Sequence, residues 1–374
     1  MTQYNQRVDQ KRLRIAMIGT GLIGGSIGLA IREAHPSAQI VGFDAPETLD
    51  RAVERGAVTE AASEIADAVA NADIIFVATP LSSIPFVFEE IGPLLQEDAI
   101  VTDVGSVKTV VCDWAAEILP SRVHFIGGHP MAGSEHRGIE YADKYLLENA
   151  SYVLCPSDSV PGDRLEDLIE LLESIGARIL ILDSKRHDRI AAAVSHTPQL
   201  LAVALANVAA TRNRTDEATL RLAAGGFRDM TRIASSPFHI WRDILSGNHD
   251  AILDSLAELS SELQRIRNRL IEEDLGDIED LFDGARTARE SIPRNTKGFL
   301  RPLSDVYVDA ADRPGALLAI VKQLFESGLN IKDIELLKLR EGTGGTFRLG
   351  FETGIESRQA IEVLIADGHQ ARQL

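Results

Sequence analysis

Several short stretches of this 374-residue chain carry side chains whose type and spacing suit chemistry. Gly19-Thr20-Gly21-Leu22-Ile23-Gly24 has the G-x-G-x-x-G spacing, and Asp44 lies 20 residues beyond Gly24. Such a loop lets a backbone approach a pyrophosphate, and the N–H groups that follow it, at Leu22 and Ile23, can face the phosphates. Asp103-Val104-Gly105-Ser106-Val107-Lys108 sets a hydroxyl among charged neighbours. Gly127-Gly128-His129-Pro130-Met131-Ala132-Gly133-Ser134-Glu135 supplies an imidazole. With an ordinary pKa of about 6.5, histidine is suited to moving a proton near neutral pH. Ser195-His196-Thr197-Pro198-Gln199 and the run Gly225–Ala234, which holds Asp229 and Arg232, complete the set.

The glycine loop means little unless it joins a strand to a helix. Here the apolar run Leu13–Ile18 precedes it and a helical pattern over Ile23–Glu33 follows. Gly19 then allows the tight turn, Gly21 the close approach, and Gly24 the packing of helix on strand. Asp44 ends a second strand, Gln39–Phe43, where a carboxylate can take both ribose hydroxyls. That acid favours NAD over NADP, because a carboxylate ~4 Å from a 2′-phosphate costs roughly 1–4 kcal/mol. No arginine stands close by, the next residues being Ala45, Pro46 and Glu47. Further strands are read at Asp73–Ala78, Ile100–Val104, His124–Gly127, Tyr152–Cys155 and Arg178–Leu182. Strands alternating with helices imply a parallel sheet, so residues 12–183 read as an α/β Rossmann-type dinucleotide-binding domain. Ligands of such sheets sit beyond the carboxyl ends of the strands. Thr79-Pro80, Ser106 and His129 all follow strands in this reading, and Thr79 and Pro80 join the cofactor-binding set.

Past Ser184 the texture changes to helical periodicity, including Ile190–Ala210, Glu217–Ala224, Met230–Ala234, Ile240–Ser246, Asp250–Glu272 and Leu275–Ser291. Residues 184–292 read as an all-α domain, and 293–302, with Pro293, Gly298 and Pro302, as a linker. Within the helices, His196 and Gln199 share one face, as do Asp229 and Arg232. Pro198 predicts a local kink. Residues 303–374 alternate as βαββαβ, the ferredoxin-like order.

Taken together, D-x-G-S-x-K, G-H-P-x-A-G and F-R-D-x-T-R-I-A resemble the prephenate dehydrogenase family, over essentially the whole chain. That resemblance implies an NAD-dependent oxidative decarboxylation on the way to tyrosine. A hydride leaves the ring carbon that bears the hydroxyl, and loss of carbon dioxide makes the ring aromatic. By the same resemblance His129 is the catalytic base, Ser106 orients it and the hydroxyl, and Arg232 holds the ring carboxylate through its planar fork. His196, Gln199 and Asp229 fall to substrate binding, with the position of Asp229 able to face a neighbouring subunit. A two-fold homodimer through the helical domain is expected. One common family pattern has histidine where this chain has Gln199, so both prephenate and arogenate stand as substrates. Two other readings stand beside this one. A hydroxyacid dehydrogenase would carry a lysine within the long interdomain helix, and Lys185 reads as lying just before it. A non-catalytic sensor of NAD and an amino acid would have no use for His129, Ser106 and Arg232 together.

The run Asp309–Leu317 ends a strand and starts a helix, and Asn330-Ile331 opens the next strand. This segment resembles an ACT domain, which implies an amino-acid site at Asp312, Gly315, Ala316, Asn330 and Ile331, with tyrosine as effector. A net charge of −18 argues against nucleic acid or anionic membrane as partners. The longest apolar run, Leu200–Ala210, is read as a buried helix and not a membrane span. The polar Met1–Arg14 segment is not a signal peptide. Cys112 and Cys155 form no disulfide framework or metal spacing. The reading is a cytoplasmic enzyme with no metal. Its dianionic substrate demands a local cationic pocket that overrides the global charge.

Overall fold

The computed structural model describes residues 13–132, 137–292, 303–340 and 344–373. Gly133, Ser134 and Glu135 of the histidine motif, the linker 293–302 and most of Met1–Arg14 lie outside them. The chain divides into two units, Met1–Arg289 and Glu290–Leu374.

The first unit opens with β1 (Arg14–Ile18), α1 (Leu22–Ala34), β2 (Gln39–Phe43), α2 (Pro46–Glu54), β3 (Glu60–Ala61), α3 (Ile65–Val69), β4 (Ile74–Val77) and α4 (Ile84–Ile91). It continues through β5 (Ile100–Asp103), α5 (Thr109–Ile118), β6 (His124–Pro130), β7 (Ser151–Pro156), α6 (Gly162–Ser174) and β8 (Arg178–Ile181). The strands form one eight-stranded sheet in the order β3-β2-β1-β4-β5-β6-β7-β8. Its central strands, such as Arg-Ile-Ala-Met-Ile in β1 and Ile-Ile-Phe-Val in β4, are apolar nearly throughout because helices cover both faces. One face packs Met17, Ile27, Ile31 and Phe76, and the other Ile75, Val77, Ile84 and Phe88. The chain order reverses between β1 and β4, which opens a crevice at their carboxyl ends.

The sheet is mixed and not wholly parallel, since β7 runs antiparallel to β6. A parallel return needs a crossover, usually a helix. The connection from β6 to β7 instead holds a 3-10 turn, Ile139–Tyr141, among its described residues. β6 is also longer than read, so His129 sits inside the strand and not after it.

A helical block follows in the same unit: α7 (Ser184–Ala191), α8 (Thr197–Asn213), α9 (Ala218–Arg221), α10 (Gly225–Thr231), α11 (Phe238–Gly247), α12 (His249–Ile271) and α13 (Leu275–Ser291). Lys185 lies within α7 and is exposed, which corrects the placement read from sequence. The irregularity expected at Pro198 takes another form. Pro198 occupies the first turn of α8, where a missing N–H costs nothing, and a π turn over Ala192–His196 precedes it. Together Ser184–Asn213 make a 30-residue helical stretch long and apolar enough to cross a bilayer by length and composition, well beyond the eleven residues read from sequence. It is packed here against the rest of the unit through Ala191, Ala192, His196, Gln199 and Ala202. Nor do Asp229 and Arg232 share one helix. The Thr231 hydroxyl bonds back to the Phe227 carbonyl at 2.7 Å, and the Ser235 hydroxyl to the Arg232 carbonyl at 3.0 Å. Such local bonds compete with the helical ladder, and Arg232 opens a 3-10 turn, Arg232–Ser235.

The second unit contains β9 (Ser304–Ala310), α14 (Ala316–Glu326), β10 (Asp333–Arg340), β11 (Gly344–Phe351), α15 (Gly354–Ala366) and β12 (Gln370–Arg372). Its antiparallel sheet has the order β10-β11-β9-β12, with Val306, Val308, Ile320, Leu324, Leu349 and Phe351 at the core. A capping box between Thr353 and Glu356 starts α15. Asn330 and Ile331 precede β10, which starts only at Asp333; Ile331 packs on the core.

Candidate active site

A cleft of about 870 Å³ lies at the carboxyl ends of β1, β4, β5 and β6, roofed by the helical block. Among the residues singled out from sequence, Gly21, Leu22, Ile23, Thr79, Pro80, Ser106, His129, His196, Gln199 and Arg232 line it. Gly19, Gly24, Asp44 and Asp229 do not, and Asp229 is exposed.

The dinucleotide loop is shaped by what a side chain would strike. Gly19 has φ +93°, and a Cβ there would stand 2.5 Å from the Ala78 carbonyl oxygen. A Cβ on Gly24 would stand 2.0 Å from the Gly19 carbonyl oxygen, whereas one on Gly21 would meet nothing within 4 Å. The first two glycines therefore close the turn and the third leaves it open to a ligand. The Asp44 carboxylate is tied to that turn, accepting the Thr20 N–H at 2.7 Å and the Ala45 N–H at 2.7 Å. Nearby, the buried Thr79 hydroxyl has no partner among the described residues. This open cradle, with an acid at the second strand's end, fits a dinucleotide.

His129 lies next to the last residue of β6 and is buried, with its Nδ1 2.8 Å from Nε2 of the buried His187. His187 Nδ1 lies 2.8 Å from Oδ1 of Asp188. The Asp188 carboxylate also accepts the backbone N–H groups of Lys108 and Thr109, each at 2.8 Å, so α7 is fastened to the start of α5. Burial holds His129 well below its ordinary pKa, reinforced by His187, Lys108 and His196. Asp188 lies below the usual carboxylate range: burial opposes that, but the hydrogen bonds from His187, Thr109 and Lys108 prevail.

Two further groups frame His129. Fully buried Lys108 donates to the Asp103 carboxylate and, at 2.7 Å, to the Gly128 carbonyl. Asp103 also accepts the N–H groups of Gly105 at 2.8 Å and Gly128 at 3.0 Å, which ties β5, the Ser106 loop and β6 together beside His129. On the helical side, His196 leaves the π turn with its Nδ1 3.2 Å from Asn248 Nδ2 and its ring edge-to-face with Trp241. Burial lowers its pKa to about 4 against the opposing pull of Asp188. Gln199 donates its amide to the Ile233 carbonyl at 2.9 Å, fixing the turn that presents Arg232.

Sequence reading assigned no role to His187, Asp188 or Asn248, and quoted Asp103 and Lys108 only as parts of a motif. A signal was available in α7, where His187, Asp188 and Ala191 follow the spacing of one buried helix face.

Comparison with known proteins agrees with this geometry. The nucleotide-binding domain model of prephenate dehydrogenase matches residues 27–181, and its dimerization domain model matches 183–284. The chain belongs to the prephenate dehydrogenase family. It is 35% identical to a prephenate dehydrogenase of Bacillus subtilis over 361 residues, covering 96% of this chain and 97% of that one. Among solved structures it is similar to the prephenate dehydrogenase of A. aeolicus in complex with hydroxyphenyl propionate and NAD+, with TM-score 0.70 and 29% identity over 76% of this chain and 99% of that one. It is also similar to Synechocystis arogenate dehydrogenase, with TM-score 0.68 and 30% identity over 75% of this chain and all of that one.

Proposed function

We propose that this family member oxidises and decarboxylates prephenate with NAD, yielding 4-hydroxyphenylpyruvate, and that His129 is its base. The observation that carries this reading is a buried imidazole sharing one cleft with the glycine loop and Arg232. When bound, NAD+ supplies the hydride acceptor. The protein's part is to hold the dianion, accept a proton and return it. Arg232 pairs with the ring carboxylate, and Arg137 also lines the cleft, so cationic groups oppose the overall charge of −18 locally. Ser106 orients the ring hydroxyl. His129 accepts the hydroxyl proton as the carbon–hydrogen bond gives up its electron pair and the carbonyl forms. The bond from ring to carboxylate then breaks, carbon dioxide leaves, and that electron pair completes the aromatic ring. The new phenolate oxygen takes the proton back from His129. Atoms and charge balance with no net proton released. Asp44 is assigned to the ribose hydroxyls, and Thr79 and Pro80 to cofactor binding. Asp229 stands on the surface, where a second subunit could use it.

Arogenate is the alternative substrate, and Gln199 in place of the family's histidine motivates keeping it. Following NADH formation with prephenate and with arogenate decides between them. His129→Asn should lower turnover by about 10²–10⁴ with NAD binding intact. Turnover near the wild-type rate would remove His129 from the mechanism.

A cytosolic homodimer completes the proposal. Leu263, Leu270, Ile271, Leu275 and Phe282 on α12 and α13 are exposed in the single chain, in the part matched by the dimerization model. The second unit, with its βαββαβ order, is read as a ferredoxin-like ACT domain. A cavity of about 500 Å³ there is lined by Asp312, Gly315 and Ala316 with Leu318, Leu336 and Phe347. Asn330 and Ile331 are not among its walls. A lining that sets Asp312 and Arg313 among apolar side chains suits tyrosine as feedback effector. Deleting residues 303–374 should then abolish tyrosine inhibition while a folded dimer persists; inhibition that survives unchanged would place tyrosine in the active cleft.

A further inference from the structure

Two histidines face the cleft, and both are wired to one residue of α7. The Asp188 carboxylate can only accept hydrogen bonds, so His187 Nδ1, 2.8 Å away, must carry a proton. In neutral His187 the other nitrogen, Nε2, is then bare. It stands 2.8 Å from His129 Nδ1, which must therefore be the donor. A neutral His129 with its proton on Nδ1 has a bare Nε2. The backbone carbonyl of Asp188 works in the opposite sense. It accepts Nδ2 of the buried Asn248 at 2.8 Å, and because a carbonyl cannot donate, the amide's NH2 end must point there. The second hydrogen of that NH2 faces His196 Nδ1 at 3.2 Å, so His196 accepts on Nδ1 and carries its own proton on Nε2.

We propose that Asp188 sets opposite tautomers in the two cleft histidines, through His187 for His129 and through Asn248 for His196, making the first an acceptor and the second a donor. The assignment of His129 as base rests on the function proposed above; the tautomers themselves do not. A base that must take a hydroxyl proton needs a bare nitrogen, and a group that binds a substrate oxygen needs an N–H. His187, Asp188 and Asn248 are thus positioning residues. The same wiring predicts how acid inactivates the site. A proton added to His187 Nε2 would turn that atom into a donor, force His129 to accept on Nδ1, and move the His129 proton to Nε2, where the base must be bare. The charged groups facing His129 are His187, Lys108 and His196, and Lys108 is neutralised by Asp103.

The test uses the full-length protein labelled with 15N-histidine. Two-bond nitrogen–proton spectra, assigned with His129→Asn and His196→Asn, should give Nδ1–H for His129 and Nε2–H for His196. His187→Leu should scramble the His129 tautomer and lower kcat about 10–100-fold, the range seen when the partner that orients a metal-bound histidine is lost, with KM little changed. His187→Gln, whose side-chain carbonyl can accept the Nδ1–H, should restore most of the rate. A wild type in which His129 carries Nε2–H or His196 carries Nδ1–H, or wild-type kcat in His187→Leu, would each overturn the proposal. If neither substrate is turned over, the function fails while the spectra still decide the tautomers.

Discussion

The two units each hold a lysine or arginine among carboxylates, and the contrast separates two uses of charge. Lys108 and Asp103 are fully buried, bonded to each other and to backbone groups of Gly105 and Gly128. Arg348 on β11 bridges Asp305, Asp333 and Glu335 on the second unit's sheet, where the carboxylates stay 20%, 35% and 55% exposed. Water can replace much of the second cluster and none of the first. A buried pair adds little net stability over an apolar pair, yet removing one partner strands a charge in a low dielectric. Its use in the first unit is geometric: it fixes the loop of Ser106 against the strand of His129.

Lys108→Met should therefore show the largest effect, about 3–5 kcal/mol of lost stability by chemical denaturation. The matching change Arg348→Met should cost about 1 kcal/mol, discounted for solvent screening. Added salt should shrink only the second difference. Equal losses from both changes would erase the distinction between the units.

Acid separates the units next, with a smaller effect. His196 and His129 are held neutral when folded, so the unfolded chain binds more protons as pH falls. Stability is complete above the ordinary histidine value and is lost as pH drops from about 6.5 toward 4, by about 3 kcal/mol for His196 alone. In the second unit Asp309 lies below the usual carboxylate range through the Thr346 hydroxyl and Arg372. Its contribution is present above about pH 3.9 and fades only below it. Both tryptophans, Trp114 and Trp241, belong to the first unit. Tryptophan fluorescence should thus change between pH 6.5 and 4, ahead of part of the far-ultraviolet circular dichroism signal. Fluorescence that stays flat to pH 4 would contradict the assignment.

Much of this molecule was legible before any coordinates, for identifiable reasons. The glycine loop announces itself because each glycine answers a steric demand, seen in the collisions a Cβ would make at Gly19 and Gly24. Ser106, His129, His196, Gln199 and Arg232, set together by the family resemblance, line one cleft. What failed depended on side chains bonding to distant backbone. Thr231 and Ser235 ended a helix that periodicity would have continued. The antiparallel direction of β7 went unread because the connection before it, residues 131–150, is long enough for a crossover and its composition looks like any loop. His187 and Asp188 stayed unread because their partners lie 58 and 80 residues away, at His129 and Lys108.

The π turn at Ala192–His196 also bears on how the site tolerates insertion and deletion. A π turn is a helical turn holding one residue more than an α-helical one. Removing a single residue there would restore a continuous α ladder without breaking either flank. One turn is completed either way, so the phase of everything downstream would stay nearly unchanged relative to α7. Gln199 and the whole of α8 would keep their face, as His187 and Asp188 keep theirs. A deletion one codon long is absorbed at Ala192–His196, whereas in the regular helix on either side it would turn the cleft wall by about 100°.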